Sequence, residues 1–237
     1  MAKLLLLSNS TMPGTPFFTW PKPHVTRILS GIRGNGLFIP YAAVTFSFDE
    51  YAGIVTTAFA DMGIKMSSIH MQSDKQKAVE EAAFIAVGGG NSFALLSRMY
   101  ENNLIEKVRE RVQAGVPYLG WSAGANLACP TIMTTNDMPV VQPPTLKALN
   151  LVPFQINPHY HELKFEGQGG ETRRERLEEF LVMNPEKRVI GLPEGMLIHR
   201  DGDQLWLEGK GIAKLYEANT PLQELTPGNV SDLLTRR

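Results

Sequence analysis

A short apolar run leads directly into a G-x-S-x-G motif in the stretch Val116-Pro117-Tyr118-Leu119-Gly120-Trp121-Ser122-Ala123-Gly124. The next residues, 123–128, are mostly small and compatible with a helix. A strand, a sharp turn and a helix in this order predict a nucleophile elbow, which exposes the serine at the turn. The flanking glycines let the backbone pack closely there. A tight turn in which Ser122 only caps the helix is the alternative.

Apolar runs and helical patterns alternate on both sides of this motif. Short apolar runs predict strands that are buried on both faces, and they lie at residues 4–7, 36–40, 83–87 and 116–120. We expect another strand at residues 64–71. Helical spacing separates them at residues 49–62, 73–81, 92–100 and 105–114. Beyond a proline-rich stretch at residues 130–158, we expect a helix at 172–183, a strand at 189–192 and a hairpin at 196–207. This alternation predicts an α/β fold with a parallel or mixed central sheet and helices on both faces.

The composition is that of an ordinary globular protein, and we expect one domain over residues 1–237. The chain has 237 residues, 23 Lys and Arg, 24 Asp and Glu, and a formal net charge of −1. This balance argues against a nucleic-acid partner or a membrane partner. The lone Cys129 rules out an internal disulfide and a Cys-rich zinc site. With no long apolar run and no signal-peptide pattern, we expect a cytoplasmic protein.

A serine nucleophile requires a base, and two histidines downstream of Ser122 are the candidates. His159 and His161 lie in Ile156-Asn157-Pro158-His159-Tyr160-His161, just after the proline-rich stretch. Spacing alone does not choose between them. A His-x-His pair also suggests a metal site, but no third histidine is near and no H-E-x-x-H motif exists. We therefore expect no metal and no other cofactor.

The base also requires a carboxylate that orients its second ring nitrogen. Asp137, in Asn136-Asp137-Met138-Pro139, lies between Ser122 and His159 and gives the chain order Ser, Asp, His. Glu194, in Leu192-Pro193-Glu194-Gly195, follows an apolar strand and is the competitor. Both lie in predicted turns, so the spacing leaves the choice open.

An acyl-transfer site requires N–H donors for the oxyanion. The run Gly88-Gly89-Gly90-Asn91 follows the predicted strand at residues 83–87. We expect Gly89 or Gly90, together with Asn91 and Ala123, to supply these donors. A phosphate-binding turn is the alternative, although neither G-x-x-x-x-G-K-[ST] nor G-x-G-x-x-G is present.

Taken together, these motifs resemble the peptidase E family, the α-aspartyl dipeptidases among the serine peptidases. The resemblance covers nearly the whole chain and weakens beyond about residue 200. It is carried by seven blocks: LLLLSNST at 4–11, VGGGN at 87–91, GWSAGANLACPT at 120–131, TTNDMP at 134–139, QINPH at 155–159, GETR at 170–173 and GLPEG at 191–195. The block around Ser122 is highly specific, whereas the glycine run alone would not be.

The resemblance implies a fold like that of the class I glutamine amidotransferases and metal-free cleavage of Asp-X dipeptides through an acyl-enzyme on Ser122. It assigns the base to His159. The third member corresponds to Asp137 or to Glu194, and we favour Asp137. The resemblance also points to Arg173 as the partner of the aspartyl side chain, since a guanidinium can bind a carboxylate through two hydrogen bonds.

The sequence leaves three other functions open. One is a cyanophycinase-like hydrolase that cleaves β-aspartyl peptides and shares the elbow. Another is a non-catalytic ligand-binding module that uses the glycine run. The weakest is a plain esterase of the α/β-hydrolase type, because the chain has no His-Gly-Gly-Gly sequence. The sequence does not fix the oligomeric state, and a monomer and a homodimer both remain open.

Overall fold

The computed structural model describes residues 1–164, 167 and 169–235, and within them the strands form one sheet of eight and a second sheet of four. The strands are β1 (Lys3–Leu7), β2 (Gly36–Ile39), β3 (Met66–Ser68), β4 (Ile85–Val87), β5 (Tyr118–Trp121), β6 (Gln155–Pro158), β7 (Arg188–Leu192), β8 (Met196–Asp201), β9 (Gln204–Gly209), β10 (Ala213–Glu217), β11 (Gln223–Leu225) and β12 (Gly228–Asn229). The α-helices are α1 (Lys22–Ile28), α2 (Phe48–Ala60), α3 (Lys75–Glu81), α4 (Ser92–Glu101), α5 (Ile105–Gln113), α6 (Ala123–Leu127) and α7 (Arg173–Met183). Short 3-10 helices lie at Ile69–Met71 and Ser231–Leu234.

The large sheet is mixed and has the order β12-β9-β8-β1-β5-β4-β2-β3. Its strands β1, β5, β4, β2 and β3 run parallel to one another. The hairpin β8-β9 and then β12 extend it antiparallel beyond β1. In the small sheet β6 and β7 are parallel, and β10 and β11 are antiparallel. The predicted mixed sheet is therefore confirmed.

Helices cover both faces of the large sheet, as the leucines of β1 illustrate. Leu4 and Leu6 belong to one buried cluster, which includes side chains of α4, α5 and α6. Leu5 and Leu7 belong to a second cluster on the opposite face, with side chains of α1 and α2. All four leucines are fully buried. A central parallel strand needs apolar side chains on both faces, because helices pack on each.

The proline-rich stretch contains the clearest difference from the expected elements. The sequence pattern predicts no helix or strand within residues 130–158, but β6 lies at their end and belongs to the second sheet. Its sequence, Gln-Ile-Asn-Pro, has no strand signature, and its place is set by pairing with the distant β7. The expected strand at 64–71 is also shorter, since β3 gives way to a 3-10 turn after Ser68.

The carboxyl ends of β1, β4 and β5 lie side by side and bring three loops together. Ser8 and Asn9 follow β1, the glycine run follows β4, and Ser122 follows β5. This edge is where ligands bind in open α/β sheets. In the part of the chain that the structure describes, no helix is long and apolar enough to cross a membrane.

Candidate active site

Ser122 has the strained backbone that an elbow serine requires. Its φ is 52° and its ψ is −113°, a region that residues other than glycine seldom adopt. A Cβ on Gly120 would lie 2.3 Å from the Gly124 carbonyl oxygen, and a Cβ on Gly124 would lie 2.2 Å from the Val87 carbonyl oxygen. Both motif glycines are therefore required by close backbone contacts. The Ser122 side chain makes no cap hydrogen bond with α6, so the helix-cap interpretation is wrong.

A continuous chain of hydrogen bonds joins Ser122, His159 and Glu194. The Nε2 atom of His159 lies 2.8 Å from Ser122 Oγ, and its Nδ1 atom lies 2.7 Å from Glu194 Oε1. With Nδ1 protonated towards the carboxylate, Nε2 carries a lone pair and can accept the serine proton. The structure thus brings together a hydroxyl, a base and a carboxylate in the geometry of a catalytic triad.

Backbone contacts hold the loop that carries His159. His159 has a positive φ of 53°, which places its ring beside the elbow rather than along β6. Its backbone N–H donates to Ser8 Oγ at 2.8 Å, and Ser8 Oγ donates to the Leu192 carbonyl at 2.8 Å. The Asn9 side chain accepts a hydrogen bond from Gly195 N at 2.9 Å. The end of β1 therefore anchors both the histidine and the segment that carries Glu194.

Asp137 occupies a different place from the one expected. Its Oδ2 accepts hydrogen bonds from Ser92 N at 2.7 Å and from Thr135 Oγ1 at 2.9 Å. The Ser92 N–H belongs to the first turn of α4, where unpaired N–H groups favour a carboxylate. The structure therefore brings Glu194, and not Asp137, to the second ring nitrogen of His159.

Three of the four expected oxyanion donors are available. The backbone N–H groups of Gly89, Gly90 and Ala123 have no hydrogen-bond acceptor within the described residues. Asn91 differs from the expectation, because its N–H donates to the Ala42 carbonyl at 2.8 Å and its side chain caps α4. Gly89 packs against the nucleophile, since a Cβ there would be 3.1 Å from Ser122 Cβ. The glycine run faces Ser122, and this position does not favour the alternative of a phosphate-binding turn.

Gly90 has a conformation and a packing that only glycine accepts. Its φ is +134°, and a Cβ would lie 2.3 Å from the Ala42 carbonyl oxygen. We expect Gly90→Ala to lower the free energy of unfolding by about 2 to 4 kcal/mol, through backbone strain and overpacking. Urea unfolding measures this loss. Gly53→Ala in α2 is the matched control, because nothing lies within 4 Å of that site, and it should stabilise the protein by about 0.5 to 1 kcal/mol. An equal change in the free energy of unfolding in both variants would show that Gly90 is not held in a strained, closely packed conformation.

His161, the rival base, does not line the cleft above Ser122. Its Nδ1 atom is buried without a hydrogen-bond partner among the described residues. Burial and the nearby positive charge of Arg173 lower the pKa of His161, and Glu194 opposes this shift. His159 is therefore the histidine that the structure brings to Ser122.

Arg173 lies beside the base but not in the lining of the serine cleft. It is half-buried at the start of α7, and its guanidinium donates to the Pro158 carbonyl at 3.1 Å. It faces a neighbouring cavity of about 230 Å³ that Asp137 and Asn157 also line. Burial lowers the pKa of Arg173, although an arginine stays protonated in proteins.

The cleft above Ser122 has a volume of about 240 Å³ and includes residues that the sequence did not single out. These are Asn9, Ser10, Thr11 and Tyr51, beside the expected Gly89, Gly90, Ser122, His159 and Glu194. The turn at 8–11 could have been found from its place at the end of a parallel strand. Tyr51 gave no signal, because it fits the apolar stripe of α2. Among the described residues, no group of three or more His, Cys, Asp or Glu side chains could hold a metal ion.

Comparison with known proteins identifies the family of this chain. The model of peptidase family S51 matches residues 4–207. A peptidase E from Nostoc sp. is 40% identical over 235 residues, covering 99% of this chain and 97% of its own. The peptidase E of Haemophilus influenzae is 47% identical, covering 84% of this chain and 92% of its own. That of Salmonella paratyphi A is 46% identical, covering 96% and 99%.

Solved structures agree in fold. A protein described as a peptidase E from Listeria monocytogenes EGD-e has a TM-score of 0.68 at 24% identity, covering 89% of this chain and 100% of its own. A peptidase from an acI-B1 actinobacterium has a TM-score of 0.70 at 18% identity, covering 96% and 95%. The family model covers most of the chain, and the relatives match nearly its full length. The chain therefore belongs to peptidase family S51 and is a peptidase.

Proposed function

We propose that this peptidase hydrolyses dipeptides with an N-terminal aspartate through an acyl-enzyme on Ser122. The hydrogen-bond chain from Ser122 through His159 to Glu194 is the observation that carries this proposal. The name peptidase E, shared by its relatives, and the resemblance of the sequence to α-aspartyl dipeptidases support the choice of substrate.

The reaction begins when Ser122 Oγ attacks the carbonyl carbon that follows the aspartyl residue. The Nε2 atom of His159 accepts the serine proton as the new bond forms, and then passes it to the leaving amine. Water next attacks the aspartyl ester while His159 accepts one of its protons, and His159 then returns this proton to Ser122 Oγ as free aspartate leaves. Glu194 holds the Nδ1–H tautomer and stabilises the imidazolium that forms in each half-reaction.

The negative charge of the tetrahedral intermediate develops on the former carbonyl oxygen. In this proposal the oxygen is bound by the N–H groups of Gly89, Gly90 and Ala123, which have no hydrogen-bond acceptor among the described residues. Such donors are fixed before the reaction and therefore stabilise the charge without reorganisation. Loss of one donor typically lowers kcat by about 10²- to 10³-fold.

Arg173 supplies the positive charge that selects the aspartyl side chain in this proposal. Its contact with the carbonyl of Pro158 ties it to the residue that precedes the base. Arginine binds a carboxylate through its planar guanidinium and does not lose its charge on burial. An uncharged side chain of the same shape, such as asparagine, would gain much less from this contact.

We expect Arg173→Ala to lower kcat/KM for Asp-Leu by about 10²-fold, because a charge-assisted carboxylate contact is lost. The much slower hydrolysis of Asn-Leu should change by less than about threefold. Steady-state kinetics with both dipeptides measures the difference.

Arg174→Ala is the matched control, since Arg174 is exposed and pairs with Glu178 on the surface of α7. It should leave both substrates unaffected. An equal loss on Asp-Leu and Asn-Leu in the Arg173 variant would remove Arg173 from substrate selection and leave it a structural role at Pro158.

The function itself is tested with three dipeptides, each with EDTA present. Asp-Leu should be cleaved, and β-Asp-Leu and Leu-Leu should not. Cleavage of β-Asp-Leu in place of Asp-Leu would favour the cyanophycinase-like alternative. Loss of activity with EDTA, restored by a divalent ion, would contradict the metal-free mechanism. If the folded protein cleaves none of the three dipeptides, the result would favour the non-catalytic ligand-binding module.

We also infer that the protein acts in the cytoplasm as a single domain, as a monomer or a homodimer. The free and buried thiol of Cys129 fits a reducing compartment. Cell fractionation tests the location, and light scattering after size-exclusion chromatography gives the oligomeric state.

A further inference from the structure

Tyr51 of α2 joins the serine elbow to the glycine run. Its hydroxyl donates a hydrogen bond to the Gly89 carbonyl at 3.1 Å and accepts one from Trp121 Nε1 at 2.9 Å. Trp121 directly precedes Ser122, and Tyr51 also lines the cleft above Ser122. The side chain is 6% exposed. A single hydroxyl therefore links the two segments that supply the nucleophile and the oxyanion donors.

The direction of these hydrogen bonds is fixed by chemistry. An indole N–H can only donate, so the Tyr51 oxygen must accept from Trp121. The proton of Tyr51 is thereby left for the carbonyl of Gly89. Burial raises the pKa of Tyr51 well above its ordinary value, which favours the protonated hydroxyl that donates to Gly89.

The carbonyl that Tyr51 binds belongs to the same peptide as the Gly90 N–H. This peptide is trans and planar, so its C=O and N–H point in opposite directions. A hydrogen bond that fixes the Gly89 carbonyl therefore also fixes the Gly90 N–H. On the C-terminal side of Gly90, the backbone N–H of Asn91 donates to the Ala42 carbonyl at 2.8 Å. Without such contacts, a peptide between two glycines rotates readily, because neither residue restricts its dihedral angles.

We propose that Tyr51 is a positioning residue that holds the Gly89–Gly90 peptide so that the Gly90 N–H faces the oxyanion formed at Ser122. The inference rests on the proposed function, because it assigns an oxyanion to this serine. The Tyr51 hydroxyl is hydrogen-bonded to Gly89 and Trp121, so it does not act directly on the reacting atoms. It acts through the glycine peptide, and its effect belongs to the transition state rather than to substrate binding.

Tyr51→Phe tests this role, because it removes one hydroxyl and keeps the ring that packs edge-on against Phe38. We expect kcat for Asp-Leu to fall by about 10- to 100-fold, with KM within about twofold of the wild type. The rate at which a small fluorophosphonate modifies Ser122 should fall by a similar factor, since the phosphonyl oxygen occupies the same donors. A purely structural role would not lower both rates while leaving KM unchanged.

Tyr100→Phe is the matched control. It also removes a hydroxyl that donates to a backbone carbonyl, that of Lys147, but at an exposed position outside the cleft lining. It should leave kcat and the modification rate unchanged. Thermal unfolding of both variants shows how much stability each hydroxyl contributes.

Unchanged kcat and unchanged modification rate in Tyr51→Phe would overturn the inference, and so would a rise in KM alone. The two readouts also separate this inference from the proposed substrate. If the wild type fails to cleave Asp-Leu while modification of Ser122 still depends on Tyr51, the positioning role stands and the substrate assignment fails. If Asp-Leu is cleaved equally well without the hydroxyl, only the positioning role fails.

Discussion

Ser122→Ala is expected to lower kcat for Asp-Leu by at least about 10⁴-fold, because it removes the atom that attacks the substrate in the proposed mechanism. The oxyanion donors and substrate binding remain and sustain only residual turnover. The fold should survive, since the Ser122 hydroxyl forms its hydrogen bond with His159 and makes no cap contact with α6. Alanine also occupies the same backbone conformation with no larger side chain.

Steady-state kinetics, with circular dichroism to confirm folding, measures this loss. Ser97→Ala is a suitable control, because its hydroxyl donates to Glu101 within α4 and does not line the serine cleft. It should retain full activity. Turnover of the Ser122 variant near the wild-type rate would show that another group attacks the substrate.

Glu194→Gln is expected to lower kcat by about 10²- to 10⁴-fold, because an amide cannot stabilise the imidazolium and disturbs the tautomer of His159. The lower end of this range reflects screening of the pair by water, since the side chains of His159 and Glu194 are 35% and 43% exposed. KM should change little, because the carboxylate acts on the base. Kinetics with saturating Asp-Leu measures the loss in kcat.

Asp137→Asn is the matched change at the competing carboxylate. It should lower kcat by less than about tenfold and reduce stability by about 1 kcal/mol, as expected when a carboxylate at a helix N-terminus is weakened. The reverse order, with the larger loss of kcat in Asp137→Asn, would contradict the role that the hydrogen bonds of Glu194 suggest.

The parts of the fold and site that follow from local sequence were predictable. Residues 116–128 contain the strand, the turn and the helix of the elbow, together with the glycines that the backbone contacts require. The run of leucines at residues 4–7 predicted a strand buried on both faces. These features depend on neighbours in the sequence, so the residues themselves carry the signal.

The features that were missed depend on contacts between distant segments. Glu194 reaches His159 because β7 and β6 pair in parallel, and no pattern predicted β6. Asn91 looked like an oxyanion donor, but its N–H is taken by Ala42, which lies 49 positions earlier in the chain. Tyr51 lies 38 positions from Gly89 along the chain. Sequence spacing gives no distance between such groups, whereas the folded backbone does.

Ser122 is, in the proposed function, the nucleophile of an aspartyl dipeptidase. The most direct measurement modifies the enzyme with increasing amounts of a fluorophosphonate, then determines the activity on Asp-Leu and the modified fraction of Ser122 in the same samples. We predict that activity falls in proportion to modification of Ser122 and reaches zero when one reagent molecule is bound per active site. Free aspartate should slow both the modification of Ser122 and the loss of activity. Activity that persists with Ser122 fully modified, or inactivation with Ser122 unmodified, would contradict the claim.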